Sequence, residues 1–307
     1  MPFLDSSNKK ILLLGTALWG WGISKGEAYK ILEKYLDSGG KIIDTATNYP
    51  INKNPDDFGV AIKWLTEWIA HNNIDDIHIL VKIGSINNNG ESTNNLSRKF
   101  IFDTLNELSD KLHNFLSIIS IHWDNRESET EISETLSAML EIENQGYSVG
   151  LSGIQRPDIY AVHAPSLSDK WWIQVKENLK TNESRNKYQN FFPNSKYIAY
   201  GINMGGVKQN YHKITSSLFL RNLSHDKEFL EKITEFLLTD NILHPTPKNI
   251  HDLFLMHAFV NRCLRGVIIG PRNIEQLVGI MDFWNMLQKI PENNMDNYLS
   301  VISNYLL

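Results

Sequence analysis

The sequence has very little cysteine and no large excess of charge of either sign. Its only cysteine, Cys263, cannot form an internal disulfide and has no CxxC partner for a metal, which fits a reducing compartment. Lysine and arginine number 30, aspartate and glutamate number 35, and the formal net charge is -5. Nothing in this balance indicates a nucleic-acid groove or a basic helix for a membrane surface.

The sequence also lacks long hydrophobic runs. The first apolar run, Ile11 to Leu14, is too short for a secretory signal and is followed by no cleavage site, and no later run is long enough to span a membrane. We therefore expect a cytoplasmic protein that partners with neither membrane nor nucleic acid.

Short apolar segments alternate with amphipathic helical segments along the whole chain, and eight such pairs predict a (β/α)8 TIM barrel. The chain shows no repeat and no Pro/Gly/Ser linker, so we expect one domain over residues 1–307 with a C-terminal helical tail from Met295. A doubly wound sheet is the alternative, but no GxGxxG motif follows the first strand. Strands are predicted at 11–14, 42–43, 77–81, 116–121, 149–151, 172–175, 198–202 and 267–269.

Capping signals mark the starts of several helices. Ser24, Ser128 and Asn273 each precede a Glu or Gln by three positions, which is typical of a helix N-terminus. Asn54 followed by Pro55 predicts another start, for a helix with Phe58 on its inner face. Between residues 176 and 196 the periodicity fades, which indicates a long loop or an irregular helix.

Four polar residues follow the apolar cores of three successive predicted strands. Asp44 and Tyr49 follow the second strand, Lys82 the third and His122 the fourth. Because the carboxyl ends of barrel strands meet at one face, we expect these side chains to converge there. Singly, each has an ordinary interpretation: a core ion pair, a packing tyrosine or a hydrogen-bonded core imidazole. Their chemical complementarity favours a catalytic site.

The four residues suit the delivery of a proton to a carbonyl oxygen. A tyrosine has a reference pKa of about 10, so it acts as an acid near neutral pH only if a cation stabilises its phenolate. Lys82 is that cation, Asp44 would keep it charged, and His122 would orient the carbonyl oxygen. The sequence has no cluster of metal ligands, so a hydride donor is the expected partner.

Eight motifs occur in an order that resembles the aldo-keto reductase family. They span nearly the whole chain. Three residues depart from the family pattern: Gly153 replaces an asparagine, and Gly279–Ile280 replaces Glu-Asn. The motifs are GTALWG (15–20), IDTATNY (43–49), VKIG (81–84), IHWDN (121–125), VGLSG (149–153), IQVKEN (173–178), IAYGIN (198–203) and VIIGPRNIEQL (267–277).

The resemblance implies NADPH-dependent reduction of an aldehyde or ketone to an alcohol, with NADPH preferred over NADH. It makes Tyr49 the proton donor, tuned by Lys82 and Asp44, with His122 orienting the substrate. Arg272 would meet the 2′-phosphate of NADPH, and the alternative for Arg272 is a solvated residue near a helix start. The implied cofactor-binding residues are Gly15, Thr16, Ser152, Gln174, Tyr200, Gly201, Ile202, Asn203, Gly205, Gly270, Arg272 and Gln276.

The substrate is expected to be a sugar-type or other polar small-molecule carbonyl compound. Trp19, Trp21 and Trp123 follow strands and either wall its pocket or pack at the rim. Basic residues in the loops suggest a phosphorylated or nucleotide-linked sugar ketone, unless they are simply solvated. They are Lys176, Lys180, Arg185, Lys187, Lys208 and Lys213.

Two other functions are compatible with the same residues. The first is a non-catalytic barrel that binds a nicotinamide cofactor and serves as a regulatory or partner-binding subunit. The second is a lyase or aldolase that uses Lys82 as a Schiff-base nucleophile. A carboxylate that keeps Lys82 protonated argues against the second.

Overall fold

Eight parallel strands close into a barrel, in sequence order, in the computed structural model of the protein, which describes residues 9–207 and 227–306. This confirms the predicted (β/α)8 architecture. The strands are β1 (Ile11–Gly15), β2 (Ile42–Ala46), β3 (His78–Ile83), β4 (Leu116–Asp124), β5 (Ser148–Ile154), β6 (Trp172–Lys176), β7 (Lys196–Tyr200) and β8 (Leu264–Ile269).

Helices follow the strands, and none of those described combines the length and hydropathy that a membrane span requires. The predicted tail is the helix α10, which packs mainly against α7 and α8. The helices are α1 (Lys25–Asp37), α2 (Val60–His71), α3 (Arg98–Leu112), α4 (Glu129–Asn144), α5 (Pro157–His163), α6 (Glu183–Gln189), α7 (Lys227–Thr239), α8 (Ile250–Val260), α9 (Ile274–Leu287) and α10 (Glu292–Leu306).

The predicted helix caps are present at α1, α4 and α9. Ser24, Ser128 and Asn273 accept hydrogen bonds from the backbone N–H three residues later, at 3.3, 3.4 and 2.9 Å. Each bond satisfies one of the backbone donors that a helix leaves open at its start. These caps confirm the helix starts that the sequence predicted.

Three predictions of local structure are wrong. The first part of the helix predicted from Asn54 is instead a single 3₁₀ turn at Pro55–Asp57. The helix α2 begins separately after Gly59, whose φ of 78° breaks the helix. Phe58 is 40% exposed rather than inward-facing. The long loop or irregular helix predicted between residues 176 and 196 is instead a loop that contains one regular seven-residue helix, α6. β7 ends at Tyr200 rather than at residue 202, because Gly201 leaves the extended conformation with a φ of 69°.

Apolar side chains fill the middle of the barrel. They form a cluster separate from the larger core, in which the neighbouring residues of the same strands pack with the helices. Since side chains alternate along a strand, residues two positions further on again point into the barrel. The interior cluster contains Leu13, Ile42, Leu80, Ile118, Trp172 and Ile198.

This alternation positions the functional site. Two residues beyond Ile42 and Leu80 lie Asp44 and Lys82, and four residues beyond Ile118 lies His122. A step of two residues also leads from Trp172 to Gln174 and from Ile198 to Tyr200. Asp44, Lys82, His122, Gln174 and Tyr200 thus form a polar layer directly above the apolar cluster.

Candidate active site

An ion pair between Asp44 and Lys82 lies at the centre of the polar layer. Lys82 Nζ donates to Asp44 Oδ1 at 2.5 Å and to Oδ2 at 2.6 Å, and Gln174 Nε2 donates to Oδ1 at 2.5 Å. All three residues are at most 2% exposed. The carboxylate thus has three short charge-assisted contacts in a site almost without water.

The strands extend further than the sequence indicated, which changes the position of two of these residues. β2 continues to Ala46 and β3 to Ile83, so Asp44 and Lys82 lie inside strands rather than after them. Their backbones are held by the barrel ladder, in which Asp44 is paired with Leu80 and Lys82 with Ala46. The ion pair is therefore fixed by sheet register rather than by loop conformation.

Burial and charge act on Lys82 in opposite directions. Removal from water disfavours the ammonium and lowers its pKa from the ordinary lysine value, while the charge and hydrogen bonds of Asp44 raise it. The net direction is downward. Asp44 is thus the group that offsets the desolvation of this cation.

Tyr49 lies in the loop after β2, beside the ammonium. Lys82 Nζ is 4.9 Å from the centre of the Tyr49 ring, within the range of a cation–π contact. The Tyr49 ring meets the His122 ring edge-on, with their centres 5.7 Å apart. The structure therefore brings together all four residues that the sequence singled out.

His122 lies inside β4 and is buried. Burial and the positive charge of Lys82 lower its pKa well below the usual histidine value, so the imidazole is neutral near pH 7. A neutral imidazole carries one N–H donor and one acceptor nitrogen. Its Nδ1 is buried and has no hydrogen-bond partner in the described part of the chain. Trp123 packs against the imidazole with a ring distance of 4.1 Å.

A cavity of about 1100 Å³ opens above these residues and is lined by Asp44, Tyr49, His122 and Trp123. Ten of the residues predicted to bind the cofactor also line it. They are Gly15, Ser152, Gln174, Tyr200, Gly201, Ile202, Asn203, Gly205, Gly270 and Arg272.

Four predicted site residues do not line this cavity: Lys82, which is bonded to Asp44, and Thr16, Gln276 and Trp19. Trp21, which is also a candidate for the pocket wall, does not line it either. Thr16 is fully buried, and its hydroxyl donates to Thr45 Oγ1 at 2.8 Å and so ties β1 to β2. Gln276 Oε1 accepts from the backbone N–H of Arg272 at 2.9 Å, which makes it a support for the arginine. Trp19 is 1% exposed and packs in the core, which argues against its predicted contact with substrate.

The aldo/keto reductase family model matches residues 11–297, which is most of the chain. The chain belongs to the aldo/keto reductase family. Members of this family are NAD(P)H-dependent oxidoreductases that act on carbonyl groups, and this aldo/keto reductase is an enzyme of that class.

Solved structures share the fold at low sequence identity. The holo form of aldo-keto reductase AKR11C1 from Bacillus halodurans is 15% identical, with a TM-score of 0.68 over 95% of this chain and 91% of that chain. Glycerol dehydrogenase AKR11B4 from Gluconobacter oxydans is 17% identical, with a TM-score of 0.71 over 96% of this chain and 92% of that chain. Comparison with curated proteins gives no match.

The cavity of this aldo/keto reductase fits a nicotinamide dinucleotide. Tyr200 is 39% exposed and offers a flat aromatic surface, and Asn203 has a buried Oδ1 with no hydrogen-bond partner among the described residues. Gly201, Gly205 and Gly206 have φ values of 69°, 85° and 94°, a conformation in which backbone N–H groups can face an anion without interference from side chains.

Six basic residues suggested a phosphorylated substrate, and the structure shows which of the described ones line the cavity. Lys176 and Lys180 line the cavity. Arg185 is buried and paired with Glu177 at 2.6 Å, Lys187 donates to the backbone oxygen of Gln155, and neither lines the cavity. The remaining two, Lys208 and Lys213, lie outside the described residues.

Sequence reasoning missed several residues that line the cavity. Lys53 and Ile51 lie on the same loop as Tyr49, and that proximity was the available signal. Phe229 and Leu230 come from α7, a helix whose periodicity gave no indication that its first turn would reach the site. Within 9–207 and 227–306, no three His, Cys, Asp or Glu side chains are grouped as metal ligands.

Proposed function

We propose that this aldo/keto reductase reduces an aldehyde or ketone to an alcohol with NADPH, and that Tyr49 donates the proton. The observation that carries the proposal is the placement of the Lys82 ammonium between the Asp44 carboxylate and the Tyr49 ring. A cation held in this way stabilises the phenolate that remains once the proton has left.

Each residue has a distinct part in the reaction. When bound, a reduced nicotinamide would supply the hydride for the carbonyl carbon. Tyr49 transfers its phenolic proton to the carbonyl oxygen, and Lys82 stabilises the resulting negative charge. Asp44 keeps Lys82 charged in spite of its burial. His122, neutral near pH 7, donates a hydrogen bond that holds the carbonyl oxygen beside the phenol.

The preference for NADPH rests on Arg272. This residue lines the cavity just before α9, and its backbone is held by Gln276. A guanidinium pairs well with a phosphate, and the start of a helix adds favourable dipoles for an anion. We place the 2′-phosphate there, and the nicotinamide between Tyr200, Gln174 and Ser152.

The substrate is a polar carbonyl compound, for which a sugar-type ketone or aldehyde is our proposal. Support comes from Lys176 and Lys180, which line the cavity, and from Trp123, which forms its wall beside His122. Polar and aromatic groups in one pocket are typical of sites that orient small polar molecules.

The alternative of a Schiff-base lyase is disfavoured by the position of Lys82. Both oxygens of Asp44 hold its ammonium, and the residue is 1% exposed and does not line the cavity. A Schiff base requires a neutral amine that the substrate can reach. Borohydride in the presence of carbonyl compounds should therefore leave Lys82 unmodified.

The proposal is tested by following NADPH oxidation with a panel of aldehydes and ketones, with Tyr49→Phe as the matched variant. We expect turnover to fall by about 10²- to 10⁴-fold in Tyr49→Phe, while the affinity for NADPH, measured by tryptophan fluorescence, stays unchanged. Normal turnover in the variant would remove Tyr49 from its role. Tight NADPH binding without turnover of any compound would favour the non-catalytic barrel instead.

A further inference from the structure

A cation that the proposed mechanism does not use lies on the Tyr49 side of the cavity. Lys53 follows Tyr49 in the loop after β2, lines the same cavity and is exposed at its mouth. Its φ of 61° lies in the left-handed region, which disfavours residues with a side chain. Other contacts must therefore hold Lys53 in this conformation.

Asn88 provides such contacts on both sides of Lys53. This residue is 5% exposed, and its Nδ2 donates to the backbone oxygens of Pro50 and Asn54 at 2.8 and 3.1 Å. It also donates to Asn52 Oδ1 at 3.0 Å. A buried amide that joins both ends of a five-residue loop fixes the backbone from which Lys53 projects.

The stem of Lys53 rests against a glycine. A Cβ added at Gly90 would lie 2.9 Å from Lys53 Cδ and 3.2 Å from Cε, and Gly90 itself has a φ of 93°. The lysine stem thus occupies space beside Gly90 that the Cβ of any other residue would need. This contact restricts the directions that the side chain can take, which reduces the entropy lost when its ammonium binds a ligand.

The ammonium of Lys53 has no ion-pair or hydrogen-bond acceptor within residues 9–207 and 227–306. Among the described residues, Asp44 is the only carboxylate that lines the cavity, and it is already bonded to Lys82 and Gln174. Another cavity lysine, Lys176, lies beside Gly201, where an added Cβ would be 3.6 Å from Lys176 Cγ.

We propose that Lys53 binds an anionic group of the substrate, a carboxylate or a phosphate, while the carbonyl lies between Tyr49 and His122. This inference rests on the proposed function and narrows its substrate class to carbonyl compounds that carry a negative charge. Ile51 and Trp123 also line the cavity and offer apolar surface to the rest of such a substrate.

The test compares charged and neutral versions of one substrate. The carboxylate pair is para-carboxybenzaldehyde and its methyl ester, and the phosphate pair is glyceraldehyde phosphate and glyceraldehyde. Lys53→Met removes the charge with little change in the side chain's length, Lys53→Arg retains the charge, and Lys63→Met is the control. Lys63 is an exposed lysine on α2 outside the cavity.

We expect Lys53→Met to raise the KM of the preferred anion by about three- to tenfold, as for an ion pair at a cavity mouth, with kcat unchanged. The neutral partner, the Lys53→Arg variant and the Lys63→Met control should keep their wild-type values. The substrate pair that shows the larger rise in KM identifies the anion that Lys53 binds as a carboxylate or a phosphate. An equal loss for charged and neutral substrates, or no loss for either anion, would overturn the proposal.

A binding measurement separates this inference from the proposed function. Binding of each of the four compounds to the NADP⁺ complex is followed through tryptophan fluorescence, since Trp123 lines the cavity. If the wild type reduces no carbonyl compound, the proposed function fails, and the inference is decided by binding alone. Weaker binding of the anions to Lys53→Met, but not to Lys53→Arg, supports it, and equal binding to both variants refutes it.

Discussion

At the scale of single residues, the buried Asp44–Lys82 pair serves the proposed reaction, but the burial of its two charges costs free energy of folding. The two side chains are 3% and 2% exposed, so both charges have lost their water. Their mutual attraction offsets this desolvation only while both partners are present. The carboxylate of Asp44 thus replaces water as the partner of the ammonium beside Tyr49.

Asp44→Asn tests this account. The substitution leaves the Lys82 ammonium buried without its counter-ion, so we expect the free energy of unfolding to fall by about 3–5 kcal/mol. The matched control is Asp76→Asn, which breaks the exposed pair with Lys41, where the aspartate is 59% exposed. Pairs of that kind contribute about 0–1 kcal/mol. Urea unfolding of both variants decides the matter, and equal losses would contradict our assignment.

A second residue-scale prediction concerns Arg272. Arg272→Ala should weaken NADPH binding by about 10- to 100-fold, as expected for the loss of a charge-assisted bond to a phosphate. NADH, which has no 2′-phosphate, should lose little. Fluorescence titrations with both cofactors measure the difference. Equal losses for NADPH and NADH would remove Arg272 from the 2′-phosphate site.

At the scale of elements, the start of α9 links helix stability to the cofactor site. Asn273 caps the helix through the N–H of Gln276, and Gln276 holds the backbone of Arg272. On α4, Ser128 makes a cap of the same kind through Glu131, without a link to the cavity.

Removal of the two caps should therefore have different consequences. Asn273→Ala and Ser128→Ala should each lower the free energy of unfolding by about 1 kcal/mol. Only Asn273→Ala should also weaken the binding of NADPH, because the substitution loosens the segment that carries Arg272. Chemical unfolding and cofactor titration give the two readouts. An unchanged NADPH affinity in Asn273→Ala would show that the cap does not position the arginine.

At the scale of the whole molecule, a buried histidine makes stability depend on pH. Burial, with a contribution from the nearby Arg185, lowers the pKa of His257 to about 4 from the ordinary value of 6.5. Above pH 6.5 this histidine is neutral in both folded and unfolded chains and has no effect. Between 6.5 and about 4 only the unfolded chain binds the proton, so stability falls as the pH falls.

The expected slope can be measured. His257 should reduce the free energy of unfolding by about 1.4 kcal/mol for each pH unit below 6.5. His257→Gln should remove this part of the slope, because glutamine does not titrate. Urea unfolding at neutral pH and at a pH of about 5 gives the comparison. An identical slope in the two proteins would show that His257 is not buried as a neutral imidazole.

Several features were predictable because they depend on local chemistry. The strands are short apolar runs, and Ser24, Ser128 and Asn273 cap helices through bonds to their own neighbours in sequence. Prediction was wrong at residues 54–59, where the periodicity of the helix at 60–71 continues backward across Gly59 although the positive φ of Gly59 separates the two. Periodicity reports which residues are apolar, and it does not report where the backbone turns.

The sequence by itself determined the barrel, the order of its strands and the identity of four complementary side chains, because hydrophobic periodicity and capping are encoded within short windows. Only the tertiary structure decided that Gln174 bonds to Asp44 across 130 positions, that Trp19 and Thr16 lie away from the cavity, and that Lys53 lies within it. These outcomes depend on barrel closure and on packing between distant segments, which no local pattern records.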